Sequence, residues 1–395
     1  TGKALSGEWG TDDLDGSGIR VLRTTNFTND GVVDYNDVVT RKIAKKNLDS
    51  KYLRHGDIII EKSGGSDKQP VGRVIYFEGP EQTYLFNNFT GLLRVRDRNT
   101  WLPRYVFYSL FSNYLMGGTR AYENRTTGLH NLQTDSYISS FEVRPVSIEK
   151  QVEICSNLDK IIHMISLKKK QISKLDELVK SRFIEMFGDP LGSSKEWPCV
   201  SVSNVCRSIL GGGTPAKGQQ EYFTGTIPWV TPKDMKSSTI SDSIDHITEE
   251  AIAHSSTNLV PENSVLMVIR SGILKHTLPV AINRVPVTIN QDMKAFVPNE
   301  IIKATFMMYF FKMIEQDVLS GVRSVTADNI DFKAFSKRVI IVPPLELQQQ
   351  FAAFVEQTDK SKFRMQKSLE LERNLWTAFQ ADGIINMDYS MQRSR

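Results

Sequence analysis

Residues 147–187 decide the fold, and they read SIEKQVEICSNLDKIIHMISLKKKQISKLDELVKSRFIEMF. Apolar and long side chains recur in this stretch alternately three and four residues apart, which is the spacing of the a and d positions of a coiled-coil helix. These seam positions are Ile154, Leu158, Ile161, Ile165, Lys168, Ile172, Leu175, Val179, Arg182 and Met186. The sequence therefore predicts one long helix with a narrow stripe that packs against another helix.

A second stretch with the same spacing covers residues 345–382. Its seam positions are Phe351, Val355, Thr358, Lys362, Met365, Leu369, Glu372, Trp376 and Phe379. Two such helices in one chain are most simply partners, and the domain between them allows the second helix to return antiparallel to the first. The alternative is that each helix packs only on its own domain.

The segments that precede the two helices repeat each other at an offset of about 200 residues. Residues 19–27 and 227–235 each give a short apolar strand followed by a polar turn. A later strand leads into Lys62-Ser63-Gly64 in one copy and into Arg270-Ser271-Gly272 in the other. The same order of elements in both copies predicts two related domains.

Each copy continues with apolar residues at helical spacing, in residues 101–115 and 302–319, which predict one amphipathic helix per domain. The expected fold is therefore α+β. Two repeated α/β domains are separated by two long helices, and these helices form an antiparallel coiled coil that relates the halves by an approximate two-fold.

The pattern also predicts boundaries along the chain. They are residues 1–146 for the first domain, 147–187 for the first spacer helix, 188–344 for the second domain, 345–382 for the second spacer helix and 383–395 for a tail.

The first copy is shorter at its front than the second. Trp197-Pro198 and the loop Gly211-Gly212-Gly213 precede Ile227, whereas few residues precede Ile19. We therefore expect the first domain to lack an opening strand, with its front truncated.

The composition is that of an ordinary folded protein, with 40% apolar and 24% charged residues. The net charge is only +4 and the basic residues are spread along the chain, which suits local DNA-binding patches. Cys155, Cys199 and Cys206 are too few and too irregularly spaced for a disulfide framework or a zinc site. No apolar run approaches a membrane span of about 18 residues, and no signal peptide is recognisable. We expect a cytoplasmic protein without a metal site.

Motifs for the chemistry of nucleic acids are missing from the sequence. It has no Gly-x-x-x-x-Gly-Lys-Ser/Thr phosphate loop and no His-Glu-x-x-His pair. Pro343-Pro344 lacks the preceding Asn or Asp that an adenine methyltransferase would show. Asp57, Glu61 and Lys62 are similar to a metal-dependent nuclease set, but the acid-x-Lys spacing is not met. We expect no catalytic residues.

Side chains suited to DNA recur in matching places of the two copies. Arg or Lys suits guanine and Asn or Gln suits adenine, while phosphate contacts fix the register. The matched candidates are Lys62, Ser63, Arg125, Thr126 and Asn131 in the first copy and Arg270, Ser271, Arg323, Ser324 and Asn329 in the second. Their retention favours a shared task such as gripping phosphate. A solvated turn or a structural cap is the alternative.

Polar residues that differ between the copies are the candidates for choosing bases. They are Arg73, Arg94, Arg120 and His130 in the first copy and Lys233, Lys275, His276, Asn290 and Gln291 in the second.

The order of domain, heptad helix, second domain and second heptad helix closely resembles the specificity subunit of type I restriction-modification systems. The resemblance rests on Ile227-Pro228-Trp229-Val230-Thr231-Pro232-Lys233-Asp234-Met235, Asn290-Gln291, the start of the second helix at Pro343-Pro344-Leu345-Glu346 with its following glutamines, and the end of the first helix at residues 183–190. The start of the first helix, residues 144–151, departs from the usual double proline.

This resemblance implies a sequence-specific double-stranded DNA-binding subunit without activity of its own, in which each target-recognition domain binds one half of a split site. It implies no cofactor on this chain. The implied partners are two methyltransferase subunits, which carry S-adenosylmethionine, and motor-nuclease restriction subunits. Lys168-Lys169-Lys170 fits a docking or DNA-facing edge, although a solvated helix face explains it more simply. Two alternative hypotheses remain. One is a DNA-modifying or DNA-cleaving enzyme with an unfamiliar site, and the other is a protein-binding scaffold.

If the paired helices act as a ruler, one extra heptad in both, inserted after Ile172 and after Leu369, adds roughly 10 Å. At 3.4 Å per base pair, the unread gap between the half-sites is expected to lengthen by about three base pairs, while both half-sites keep their bases. Sequencing the methylated sites of cells that carry the lengthened subunit and its methyltransferase measures this. Altered half-site bases, or an unchanged gap in an active complex, would refute the ruler.

Overall fold

The computed structural model describes residues 3–44, 48–126, 129–192, 197–324 and 328–384. These residues form two units. Unit 1 takes the described residues of Thr1–Lys169 and Lys367–Arg395, and unit 2 takes those of Lys170–Gln366. Each unit therefore includes part of both long helices.

Unit 1 is built from short strands, two helices of its own and parts of the two long helices, which continue into unit 2. The strands are β1 (Leu5–Ser6), β2 (Thr11–Asp12), β3 (Ile19–Leu22), β4 (Val39–Lys42), β5 (Ile58–Glu61), β6 (Ser63–Gly65), β7 (Val74–Tyr76), β8 (Tyr84–Phe86), β9 (Thr90–Leu93), β10 (Glu123–Thr126) and β11 (Leu129–Leu132). The helices are α1 (Pro103–Leu115), α2 (Thr134–Ser140) and α3 (Ile148–Phe187). The strands form sheets in the orders β1-β9-β5-β7, β2-β4-β3-β8 and β10-β11-β6.

Unit 2 repeats this plan with additional elements. Its strands are β12 (Cys199–Ser201), β13 (Cys206–Gly211), β14 (Ile227–Val230), β15 (Thr239–Ile240), β16 (Asp245–Ile247), β17 (Leu259–Val260), β18 (Val265–Val268), β19 (Val280–Asn283), β20 (Val287–Ile289), β21 (Met293–Pro298), β22 (Arg323–Ser324), β23 (Asp328–Asn329) and β24 (Val339–Ile341). Its helices are α4 (Glu249–Ala253), α5 (Ala304–Met313), α6 (Glu315–Ser320), α7 (Phe332–Ser336) and α8 (Leu345–Gly383).

The topology confirms the predicted repeat. The sheet order β1-β9-β5-β7 of unit 1 reappears in unit 2 as β13-β21-β18-β19, and β4-β3-β8 reappears as β16-β14-β20. In both units the first apolar strand pairs in parallel with a later one, β3 with β8 and β14 with β20. The central strands β5 and β18 are buried along their whole length, which explains the apolar run of Ile58, Ile59 and Ile60 in β5 and the fully apolar β18.

The opening strand of unit 2, β12, directly follows Trp197-Pro198 and pairs with β24. This two-stranded sheet has no counterpart among the strands described in unit 1, in line with the shorter front of the first copy. The next strand of unit 2, β13, does have a counterpart. β1 pairs with β9 as β13 pairs with β21, but β1 has only two residues. A methyl group added at Gly7 would lie 2.1 Å from the carbonyl oxygen of Asn87, and one at Gly212 would lie 2.1 Å from that of Ile289. The chain after β1 and the chain after β13 therefore each approach the neighbouring backbone closely enough to require glycine. A strand this short offers no periodicity to detect.

The predicted helical seam is confirmed by burial. All ten predicted positions of α3 are buried or half-buried. In α8 the same holds for every predicted position except Phe379, which is 40% exposed.

The long helices pair with each other, so the prediction of partner helices is confirmed and the alternative is excluded. Within unit 2, the side chain of Phe351 contacts those of Phe183 and Phe187, with ring centroids 5.5 and 5.6 Å apart. Asp176 lies earlier in α3, and its Oδ1 atom is 2.6 Å from Nζ of Lys362, which lies later in α8. Rising numbers on α3 meet falling numbers on α8, so the helices run antiparallel.

The same pairing occurs within unit 1. There Lys168 Nζ lies 2.9 Å from Glu372 Oε1. The ring of Trp376 on α8 packs edge-on against Tyr108 of α1 at 5.6 Å. The C-terminal part of α8 thus packs beside the N-terminal part of α3 and also on the domain helix.

One buried glutamine in the first turn of each long helix joins it to its domain, and we call this arrangement the glutamine clamp. In unit 1, Gln151 Oε1 accepts the backbone N–H of Leu102 at 2.9 Å, and Nε2 donates to the carbonyl oxygens of Thr100 at 2.8 Å and Val146 at 3.0 Å. Leu102 precedes α1 and has no capping side-chain bond of its own. The glutamine therefore supplies the hydrogen bond that the start of the domain helix needs.

Unit 2 has the same clamp. Gln348 Oε1 accepts the N–H of Lys303 at 2.8 Å, and Nε2 donates to the carbonyl oxygens of Ile301 at 3.1 Å and Pro343 at 2.8 Å. Lys303 precedes α5 as Leu102 precedes α1. Gln151 and Gln348 are both fully buried. Each domain is thus fixed to its long helix by the same three bonds.

Replacing Gln348 by Leu keeps the approximate volume but leaves buried backbone groups without partners. We expect unit 2 to lose about 2–4 kcal/mol of stability, a fall of roughly 4–15 °C in its unfolding midpoint. Hydrogen exchange measured by mass spectrometry should show faster exchange in α5 and unchanged exchange in α1. The exposed neighbour gives the control, because Gln349→Leu should change stability by less than about 0.5 kcal/mol. Equal effects of the two substitutions would contradict the clamp.

Candidate nucleic-acid interface

The structure brings the matched polar residues of each copy together. In unit 1, Ser63 on β6 pairs with Asn131 on β11. In unit 2, Arg270 forms an isolated antiparallel bridge with Asn329 on β23. We call these the hairpin surfaces: Lys62, Ser63 and Asn131 in unit 1, and Arg270, Ser271 and Asn329 in unit 2. Two groups that are far apart in the sequence thus share one surface in each unit.

The hairpin surface of unit 1 borders a polar cleft of about 630 Å³. Lys62 Nζ donates to Ser6 Oγ at 2.7 Å inside this cleft. Burial lowers the pKa of Lys62, and the nearby carboxylate of Asp135 opposes that shift. A half-buried cation loses part of its hydration. An anion or a hydrogen-bond acceptor in the cleft would therefore stabilise the charged form of Lys62.

The other residues of this cleft were not predicted from the sequence. They include Asn88, the half-exposed ring of Phe89, Gln133 and Thr134. The signal was present for Asn88, because Asn87-Asn88 follows β8 as Asn290-Gln291 follows β20.

The hairpin surface of unit 2 carries more charge. Arg270 Nε and Nη2 both lie 2.6 Å from Asp292 Oδ1, and the arginine side chain is 48% exposed. Ser271 Oγ accepts the N–H of Ile273 at 3.4 Å and so begins the turn that carries Lys275, which is 63% exposed. Exposed predicted residues elsewhere in this unit are Lys233, His276 and Gln291.

Two predicted base readers, Arg94 and Arg73, bind other parts of the domain instead. Arg94 Nε and Nη2 donate to the two carboxylate oxygens of Asp57 at 2.7 and 2.6 Å. Arg73 donates to the carbonyl oxygens of Phe27 and Thr24, each at 2.9 Å. Because these guanidinium groups have protein partners and their side chains are only 14% (Arg73) and 21% (Arg94) exposed, we leave both residues out of the proposed interface.

The acids that resembled a nuclease set have structural partners as well. Asp57 is fully buried against Arg94. Glu61 is buried, which raises its pKa, and it lies 3.4 Å from Arg73 Nη2. Within the described residues, no three His, Cys, Asp or Glu side chains group closely enough to hold a metal ion.

His130 and Asn290, which the sequence also predicted to contact bases, are buried and form hydrogen bonds with carboxylates of their own domain. His130 is 5% exposed, and its Nδ1 lies 3.0 Å from Glu123 Oε2. Asn290 is 7% exposed and donates a hydrogen bond to Asp292.

Arg120, the remaining candidate of unit 1 whose side chain is described, is exposed and donates to the carbonyl oxygen of Asp67 at 3.2 Å.

The four remaining candidates are described only in their backbone. Arg125 and Thr126 lie on β10, and Arg323 and Ser324 lie on β22. Each strand pairs with its neighbour to form a hairpin at the same place in the two units. The positions of these four side chains lie outside the described part of the structure.

Every helix in the part of the chain that the structure describes is too short or too polar to cross a membrane.

Comparison with known sequences identifies the same repeat. The family model described as "Type I restriction modification DNA specificity domain" matches residues 2–177 and again residues 194–373. The EcoR124I/EcoR124II type I restriction enzyme specificity subunit of Escherichia coli is 32% identical over 275 residues, which cover 67% of this chain and 65% of that subunit. The MjaIX specificity subunit of Methanocaldococcus jannaschii is 31% identical over 121 residues, or 30% of this chain and 27% of that subunit. The chain thus spans slightly less than two thirds of the length of the first relative.

Solved structures show the same fold. A chain from a structure described as "Structural basis underlying complex assembly and conformational transition of the type I R-M system" matches with a TM-score of 0.56 and 15% identity, covering 96% of this chain and 95% of that one. The S subunit of a type I restriction-modification system from M. genitalium matches with a TM-score of 0.53 and 13% identity, covering 96% and 93%. Because the family model matches both repeats over most of the chain, this chain belongs to the type I restriction-modification DNA specificity family and carries two of its domains.

Proposed function

We propose that this chain is the DNA-recognition subunit of a type I restriction-modification complex. Each unit reads one half of a bipartite double-stranded site, and the chain itself catalyses no reaction. The observation that carries the proposal is the duplicated hairpin surface, which brings a cation, a serine and an asparagine together in each unit. In unit 1 Asn131 pairs with Ser63, and in unit 2 Asn329 pairs with Arg270, one residue earlier in the matched segment.

The chemistry of these surfaces suits DNA. Cations bind phosphate and the edge of guanine, whereas the asparagine amide can bind an adenine edge with both its donor and its acceptor. Lys233 and Lys275 add exposed positive charge in unit 2. The small net charge of +4, with basic residues spread along the chain, is compatible with DNA binding through local cationic patches.

The proposed partners are two methyltransferase subunits, which carry S-adenosylmethionine, and motor-nuclease subunits, all in the cytoplasm. This chain binds no cofactor in the proposal. Exposed apolar side chains on α8 support a partner, because Leu371, Leu375 and Phe379 are 65%, 50% and 40% exposed and recur on one face of the helix. Co-expression with the methyltransferase is therefore expected to raise both the solubility and the DNA affinity of the chain. A monodisperse chain that methylates DNA unaided would contradict this assembly.

The function is tested by selecting DNA from a random library with the full chain bound to its methyltransferase partner. We expect two short specified blocks separated by unread base pairs. A single contiguous block would contradict the assignment of one half-site to each unit, and binding without any sequence preference would contradict DNA recognition altogether.

Arg125 and Arg323 occupy matching hairpins and are proposed to grip phosphate. Replacing either by Ala should weaken binding equally for all sequences and reduce the salt dependence by about one ion. Titrations at several salt concentrations measure this. Arg207→Ala is the matched control, because Arg207 is 69% exposed, pairs with the exposed Glu300 and lies outside the hairpin surface. A change in the preferred bases would show instead that the replaced arginine reads sequence.

A further inference from the structure

We propose that Arg270 reads a guanine through the major groove in the half-site of unit 2, and that Asp292 and Asn290 hold it in position. This inference rests on the proposed function, since it presupposes that the hairpin surface faces DNA. Beyond the proposed function, it names one residue that specifies a base and the base that this residue specifies.

The side chain of Arg270 is positioned by a chain of polar contacts. Its Nε and Nη2 atoms both contact Asp292 Oδ1 at 2.6 Å. Asp292 is positioned in turn by Asn290, whose Nδ2 donates to Asp292 Oδ2 at 3.1 Å and whose Oδ1 accepts the backbone N–H of Asp292 at 3.1 Å. Asn290 is buried, so this chain of contacts begins in the domain and ends at the surface.

The backbone of Arg270 is fixed as well. The N–H groups of Ile269 and Arg270 both donate to the carbonyl oxygen of Asp292, at 2.8 and 3.2 Å. Arg270 also forms the bridge to Asn329. With backbone and guanidinium both held, little conformational entropy remains to be lost when the side chain binds.

The contact with Asp292 leaves one edge of the guanidinium for a ligand. The group has five N–H donors, and Asp292 takes the side formed by Nε and Nη2. Nη1 has no partner among the side chains that the structure describes, and the residue is 48% exposed. The Nη1 and Nη2 hydrogens at the end of the side chain form the pair that matches guanine O6 and N7.

A base explains this arrangement better than a phosphate does. The carboxylate of Asp292 offsets the positive charge of Arg270 and would repel a phosphate brought close to the pair. The directions of the remaining donors are unaffected by that charge. Adenine presents an N6 donor where guanine presents O6, so it could accept only one of the two hydrogen bonds.

The equivalent site in unit 1 lacks an arginine that is positioned by a carboxylate. Lys62 takes the place of Arg270 and donates to Ser6 at 2.7 Å. Phe89 is the third residue after β8, as Asp292 is the third after β20, so the positioning acid is absent there. A lysine ammonium is a point charge without the paired donors of a guanidinium. The two half-sites should therefore differ at the corresponding position.

The test selects DNA with the unit 2 half-site randomised, using the full chain bound to its methyltransferase partner. The wild type should prefer guanine at one position of that half-site. Arg270→Ala and Arg270→Lys should each lose roughly 10- to 100-fold of that preference and keep the preferences at other positions. Asp292→Ala should still favour guanine but discriminate less, because the donors remain while their orientation is lost. Arg207→Ala is the matched control and should select the wild-type site.

A second measurement changes the DNA rather than the protein, so it does not depend on how a variant folds. Replacing the preferred guanine by 7-deazaguanine removes the N7 acceptor. Wild-type affinity should fall roughly 10- to 100-fold, the loss of one hydrogen bond to a charged group, whereas Arg270→Ala should bind both DNAs equally.

Three results would overturn the inference. Arg270→Ala could weaken binding to all sequences alike and reduce the salt dependence, which identifies a phosphate contact. Wild-type binding could be insensitive to 7-deazaguanine at every guanine of the half-site. Asp292→Ala could discriminate as well as the wild type, which excludes the positioning role. Failure of the proposed function looks different, because the wild type would then select no sequence in either half-site.

Discussion

The rest of the structure depends on the glutamine clamp, because this interaction fixes each domain to the long helix that follows it. A side chain with both a donor and an acceptor meets three backbone groups at the start of a domain helix and at the end of the domain's last segment. Because Gln151 and Gln348 are fully buried, none of these bonds can be replaced by water without opening the core. The direction of each domain relative to its long helix follows from this geometry.

The pairing of the two long helices adds the second constraint. Their outer parts are held by apolar contacts such as Phe351 with Phe183 and Phe187, whereas Lys168 with Glu372 and Lys362 with Asp176 form ion pairs farther along the seam. Charged pairs within an otherwise apolar seam cost stability but disfavour slipped pairings, since a slip would leave a partly buried charge without its partner. We infer that these pairs set the register of the helices.

Much of this architecture could be predicted from the sequence because it depends on local patterns. Heptad spacing specifies both long helices, and the order of strands, turns and helix specifies the repeat. The two-residue strand β1 could not be found in this way, because its existence depends on pairing with β9 more than eighty residues later.

The candidate site was less predictable, because the role of an arginine depends on its partner. Arg94 and Arg270 are the same residue type, yet Arg94 is half-buried on Asp57 while Arg270 remains 48% exposed beside Asp292. Residue type and position in the repeat identify polar residues near a loop. Only the fold shows which of them bind the domain itself and which are left for a ligand.

We propose that the two domains, each fixed to the shared helices, read half-sites at one separation. The most direct measurement is the affinity of the assembled complex for DNA in which the gap between the preferred half-sites is changed one base pair at a time. Each base pair moves the second half-site by 3.4 Å and turns it by about 35° around the helix axis. We expect tight binding at one gap and a fall of at least roughly tenfold, about 1.4 kcal/mol, when the gap changes by two base pairs in either direction. Equal affinity across a range of gaps would contradict it.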